Sequence, residues 1–106
     1  MTISETRGED SIQLVVEGNV DTNTAPQLQT RILLAFQKGK TVVLEMSKCP
    51  YMSSAGLRAL LRTGKKAKKT KKQFVFCGVA GMVKEILEDS GTDLLFQIYE
   101  SAADLQ

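Results

Sequence analysis

Apolar and polar residues alternate through Ser11-Ile12-Gln13-Leu14-Val15-Val16-Glu17. The alternation puts Ile12, Leu14 and Val16 on one side and predicts a strand with one wet face. A short strand around Ile3 is expected to pair with it across a turn containing Gly8. The period then changes. Leu28, Ile32 and Phe36, with Ala25, Leu33 and Ala35 nearby, make a stripe at helical spacing. Thr24-x-x-Gln27 fits a capping box at its start, with Pro26 in the permissive first turn, and Gly39 fits a left-handed stop.

Thr41-Val42-Val43-Leu44-Glu45-Met46 is nearly continuous in apolar character, as in a strand covered on both faces. A connection from Ser47 to Met52 follows. From Ser53 the apolar positions are Leu57, Leu60, Leu61 and Gly64, at i, i+3, i+4 and i+7, with arginines and lysines between them, which predicts a second helix. Phe74-Val75-Phe76-Cys77 reads as another buried strand. Met82, Val83, Ile86 and Leu87 mark a third helix ending at Gly91, and Phe96 to Tyr99 a last strand. Ser101-Ala102-Ala103-Asp104 fits the cap of a final helical turn.

Strands that alternate with helices pair in parallel through right-handed crossovers. The expected fold class is therefore α/β, a mixed and mostly parallel sheet with an antiparallel N-terminal hairpin. With 106 residues there is room for one core, so residues 1–106 are read as a single domain. Neither a repeat nor a linker interrupts it.

Composition then removes function classes. The chain has no histidine, which takes away the usual general base at neutral pH, Ser-His-Asp and Cys-His arrangements, and most zinc and haem sites. Cys49 and Cys77 are too far apart in sequence for a C-x-x-C motif and are expected to be buried thiols. Gly78-Val79-Ala80-Gly81 lacks the lysine and further glycine of a phosphate-binding loop. No metal, cofactor or catalytic residue is expected, and the chain is not read as an enzyme. The N-terminus has neither a basic start nor an apolar core, and the longest near-apolar stretch, Phe74 to Val83, is too short to cross a bilayer. A cytoplasmic protein without membrane contact, monomeric when free, is the expectation.

Charge is distributed unevenly. Between Glu45 and Glu85 lie ten lysines and arginines and no acid, whereas the rest of the chain has four bases against all 12 acids. Lys65-Lys66-x-Lys68-Lys69-x-Lys71-Lys72 carries an alternative reading, a module for nucleic acid or an anionic surface. No aromatic residue lies in the cluster to stack on bases, which weighs against nucleic acid. Lysines at a helix C-terminus also complement its dipole and keep the surface solvated.

Ligands and partners of open α/β sheets meet the carboxyl ends of the strands, where loops enter helices. Lys48-Cys49-Pro50-Tyr51-Met52-Ser53-Ser54-Ala55-Gly56-Leu57-Arg58 lies at such a place, with two serines followed by two residues of minimal side chain. Either a serine caps the helix, or a serine hydroxyl is modified or recognised there. A phosphoryl group would bring about −1.5 to −2 charges and meet free backbone amides at the positive end of the helix dipole.

Val43-Leu44-Glu45-Met46-Ser47 followed by Tyr51-Met52-Ser53-Ser54-Ala55-Gly56-Leu57-Arg58-x-Leu60-Leu61 resembles the signature of STAS domains of the anti-sigma factor antagonist type. Glu17-Gly18-Asn19-Val20-Asp21 with Thr24-Ala25-Pro26, Phe76-Cys77-Gly78, and Leu94-Phe96-x-Ile98-Tyr99 resemble it further along nearly the whole chain. The resemblance implies a bacterial partner-switching protein. The unmodified form binds an anti-sigma factor that is itself a serine kinase and frees the sigma factor. Phosphorylation blocks that binding, and a separate phosphatase resets it. Aligned on Gly56-Leu57, the acceptor falls on Ser54, with Ser53, where many members have aspartate, as second choice. The implied contact surface comprises Asp21, Thr22, Met52, Ser53, Ala55, Gly56, Leu57 and Arg58. Glu45 stands where aspartate is common. Asp21 matches an acidic position of the family and equally fits an aspartate that orders the turn before the first helix.

Overall fold

The computed structural model describes residues 1–91 and 97–99. Alternation in the first 17 residues produces β1 (Thr2–Arg7) and β2 (Ser11–Glu17), which pair antiparallel in the register Ile3↔Val16 and Glu5↔Leu14. The turn closes on a hydrogen bond from the Gly8 amide to the Ser11 carbonyl, 2.8 Å. The elements that follow are α1 (Ala25–Lys38), β3 (Thr41–Lys48), α2 (Ser54–Lys69), β4 (Gln73–Cys77), α3 (Gly81–Asp89) and β5 (Gln97–Tyr99). The sheet runs β1-β2-β3-β4-β5, and every pair after the hairpin is parallel. The mixed α/β expectation holds. Phe96 and the expected helical turn at Ser101–Asp104 lie outside the described residues.

Each crossover advances one strand in the same direction, so right-handedness puts all three helices on one face of the sheet. That face is the core. Ile12, Leu14 and Val16 of β2, Val42, Leu44 and Met46 of β3, and Phe74 and Phe76 of β4 join Leu28, Ile32 and Phe36 of α1 and Val83 and Leu87 of α3 in one cluster. Phe74 stacks edge-on to both Phe36 and Phe76, with ring centroids 5.8 and 4.9 Å away. Val43, Val75 and Cys77, which point the other way by strand alternation, are buried as well.

Two local expectations fail for physical reasons. Gly39 ends α1 in an extended conformation (φ −152°), not a left-handed one. A side chain there would come within 3.0 Å of the Asp10 carbonyl oxygen and 3.3 Å of Ile12 Cγ1, so the position needs the space that glycine leaves. In α2 the buried face is Gly56, Ala59, Leu60, Thr63, Gly64 and Ala67, whereas Leu57 and Leu61 are half-buried. Small residues let this helix lie close to its neighbours. Thr63 is satisfied within the helix, its hydroxyl reaching the carbonyls of Ala59 and Leu60 at 3.0 and 2.9 Å.

Phe76 is fully buried at the centre of this arrangement. Phe76→Ala removes a ring that nothing nearby can replace and is expected to cost about 3–5 kcal/mol, read as a shift in the urea unfolding midpoint.

Candidate functional site

Beyond the end of the sheet, two loops continue side by side. The β2–β3 register shifts between Val15 and Glu17, and Gly18 follows in a left-handed conformation (φ +102°) that brings its amide 3.0 Å from the Lys48 carbonyl. Val20 and Met52 then form an isolated parallel bridge. The Val20 amide donates to the Tyr51 carbonyl at 3.0 Å, and the Ser53 amide to the Val20 carbonyl at 2.8 Å. Both bridging side chains are buried. The entrances of α1 and α2 are thereby tied together.

Gly56 locks the tie. A Cβ at this position would lie 2.6 Å from Val20 Cγ1 and 3.2 Å from the Val20 carbonyl oxygen. Met52 and Gly56 therefore serve packing. Both are buried in the free chain.

The two serines do different work. Ser53 is the cap residue of α2, with extended backbone (φ −82°, ψ 172°) and its hydroxyl oxygen accepting from the Gly56 amide at 3.3 Å. Ser54 is the first helical residue, is exposed, and makes no hydrogen bond through its hydroxyl among the described residues. Capping and exposure to modification, alternatives in the sequence, are divided between neighbours. Thr22 and Arg58 are exposed, and Ala55 and Leu57 half-buried, around the same helix mouth.

Asp21 organises the other entrance. Its carboxylate Oδ1 accepts from the amides of Asn23 and Thr24 at 2.9 and 3.0 Å, and its carbonyl accepts from Ala25 at 2.8 Å. The expected capping box is absent. Thr24 turns its hydroxyl back to accept from the Asp21 amide at 2.9 Å, and Gln27 is exposed. No side chain caps α1; Asp21 orders the turn before it through an Asx turn, and reaches a helix amide, that of Ala25, only with its main-chain carbonyl. The Thr24 amide above all, with that of Asn23, holds the Asp21 carboxyl below its ordinary value of 3.8.

A second polar cluster, not foreseen from the sequence, lies at the ends of β3 and β4. Burial pushes the Glu45 carboxyl up, but hydrogen bonds from Ser47 and Cys77 outweigh it, and the group ends below its ordinary value. Its Oε1 accepts from the Ser47 amide at 2.7 Å and its Oε2 from the Cys77 thiol at 3.2 Å. Gly78, at φ +70°, has no side chain to collide with that carboxylate. Burial, then the Glu45 carboxylate, pushes the Cys77 thiol up to about 12. Cys49 is buried too, its thiol donating to the Tyr51 carbonyl at 3.3 Å. Both cysteines are free, buried thiols, as expected. Among the described residues, no group of three or more His, Cys, Asp or Glu side chains is placed to hold a metal ion. No helix among them is long and apolar enough to cross a membrane. Tyr51, 41% exposed beside the α2 entrance, is an apolar surface residue that the sequence reading did not single out as a contact.

The STAS domain family model matches residues 4–105. The chain belongs to the STAS domain family. It is 32% identical over 87 residues to BtrV of Bordetella bronchiseptica, named as an anti-sigma factor antagonist, across 81% of this chain and 75% of that one. The Thermotoga maritima protein tm1081, described as an anti-sigma factor antagonist, superposes with a TM-score of 0.90 at 15% identity, over 97% of this chain and 90% of that one. Bacillus SpoIIAA in its phosphorylated form superposes with a TM-score of 0.76 at 13% identity, over 98% of this chain and 96% of that one. These structural likenesses show the same fold.

Two outcomes follow from the geometry. Gly56→Ala forces Val20 and Met52 apart and is expected to destabilise the chain by about 1–3 kcal/mol in urea titrations. The Asp21 carboxyl is depressed, so its stabilising effect is full at neutral pH and is lost as pH falls below the ordinary 3.8. Asp21→Asn is expected to flatten the acid limb of the melting temperature as pH falls below the ordinary 3.8.

Proposed function

We propose that this STAS domain is a partner switch in which the unmodified α2 entrance binds an anti-sigma factor with serine kinase activity, releasing the sigma factor. Transfer of a phosphoryl group from ATP to the Ser54 hydroxyl ends that binding. A separate phosphatase restores it by hydrolysis. The chain is the kinase's substrate and ligand, supplies no catalytic group, and works in the cytoplasm. The observation that carries this reading is the division between Ser53, occupied as a cap, and Ser54, exposed and uncommitted. The relative named as an anti-sigma factor antagonist and the phosphorylated SpoIIAA structure support it.

Physical chemistry makes Ser54 a workable switch point. The free amides of the first turn and the dipole of α2 favour a dianion there, so the modified protein stays folded. A partner shaped around a neutral hydroxyl, however, must then desolvate and accommodate a bulky double charge. Thr22, Ala55, Leu57 and Arg58 frame the contact, with Tyr51 adding apolar area. Ser53 and Asp21 hold the two helix entrances in shape. Their contribution to partner binding is through that shape.

The test uses the chain's own anti-sigma factor kinase and ATP. Mass spectrometry is expected to find one phosphate on Ser54, none on Ser53, and none on a Ser54→Ala variant. Ser54→Asp is expected to weaken binding to the kinase at least roughly tenfold, about 1.4 kcal/mol. Ser54→Ala binds like the unmodified protein and is not silenced by ATP. Phosphate on Ser53 instead, or equal kinase affinity of Ser54→Asp and wild type in calorimetry, would overturn the assignment.

A further inference from the structure

From Ser54 onward the solvent side of α2 carries one sign of charge. At about 100° per residue, Ser54, Arg58, Arg62, Lys65 and Lys69 fall within an arc of about 80°, opposite the buried small residues. All five are exposed. At 1.5 Å per residue the row is about 22 Å long. Among the described residues, none of its four bases forms an ion pair with an acid. The ion pairs gather elsewhere, on Glu5 (with Arg7, Arg31 and Lys38) and on Glu17 (with Lys48). Across the shallow groove beside Arg58 and Arg62 stand Thr22, Pro26 and Gln29, which are uncharged. Like charges one turn apart repel, and no acid between Glu45 and Glu85 relieves them. Solubility alone would be served as well by mixed charge.

We propose that this stripe docks an acidic surface of the same protein that binds at Ser54. The proposal rests on the partner-switch reading, because it takes the Ser54 mouth as one end of a continuous interface. Charge complementarity identifies the chemistry. A basic row without an acidic neighbour attracts a partner face rich in Asp and Glu, steers its approach and sets its direction along α2. A nucleic acid fits less well, since no aromatic side chain lies along the row to stack on bases. The stripe also couples to the switch. Arg58 is one turn from Ser54, so a phosphoryl dianion placed there neutralises the near end of the row. Modification then slows encounter as well as spoiling the fit.

The experiment measures association of the full chain with its anti-sigma factor kinase by stopped flow across a salt series. Three proteins are compared: wild type, the stripe variant R62Q/K65Q/K69Q, which spares Arg58 at the Ser54 contact, and a control, K38Q/K40Q/K84Q, that removes the same number of charges elsewhere. Circular dichroism verifies that both variants fold. The stripe variant is expected to associate roughly tenfold or more slowly at low salt, with a flatter salt dependence, while the control stays within about twofold of wild type. Equal association of the stripe variant and wild type overturns the proposal. So does tighter stripe-dependent binding to a 20-base-pair DNA duplex than to the kinase at the same salt. Ser54→Asp, measured alongside, separates the two claims. If it binds the kinase normally, the switch reading fails whatever the stripe variant does. If it binds weakly while the stripe variant binds normally, only the stripe is wrong.

Discussion

The bridge between Val20 and Met52 is the constraint on which this surface depends. Parallel strands normally part where their loops begin, but here main-chain pairing resumes past the sheet, with the Val20 amide on Tyr51 and the Ser53 amide on Val20. Gly56 makes room for it, because any side chain would strike Val20. The consequence is positional. Once Met52 is anchored in the core and Ser53 is held by the bridge, the next residue must start the helix, and Ser54 is turned out to solvent. Core packing thus decides which of two adjacent serines is exposed.

Electrostatics builds on that placement. Amides of its own turn hold the Asp21 carboxyl below its ordinary value and order the α1 entrance. Glu45 is likewise satisfied by the Ser47 amide and the Cys77 thiol at the ends of β3 and β4. The α2 face keeps its run of positive charge, with no acid between Glu45 and Glu85. A phosphoryl group at Ser54 would add negative charge where the helix amides can accept it and where the proposed partner cannot. In this account the fold does not need to change shape to switch.

Much of this was legible in the sequence, for identifiable reasons. Period-two and period-3.6 patterns marked β2 and α1 correctly because each presents one face to a single core. The order of strands and helices dictated the parallel sheet because crossover handedness leaves few alternatives. Errors arose where several polar residues competed over a short span. Thr24 and Asp21 both had the chemistry to cap α1, yet neither side chain does so, and Asp21 orders the turn before it. Gly39 suggested a left-handed turn, yet its role is clearance from Asp10, a contact distant in sequence. The α2 stripe was placed one residue late, since Gly56, Ala59 and Thr63 carry little hydrophobic signal although they form the buried face. Met52 and Gly56 matched a family signature and were read as contacts. In the free chain both are buried and pack against Val20.

The central claim is that esterifying one exposed hydroxyl closes a protein-binding surface on an otherwise unchanged fold. It is tested most directly by isothermal titration of the anti-sigma factor kinase with unmodified protein and with protein phosphorylated stoichiometrically at Ser54, both shown to be folded. The unmodified form is expected to give a saturable heat and the phosphorylated one binding weaker by at least roughly tenfold. Equal affinity of the two folded forms would contradict it.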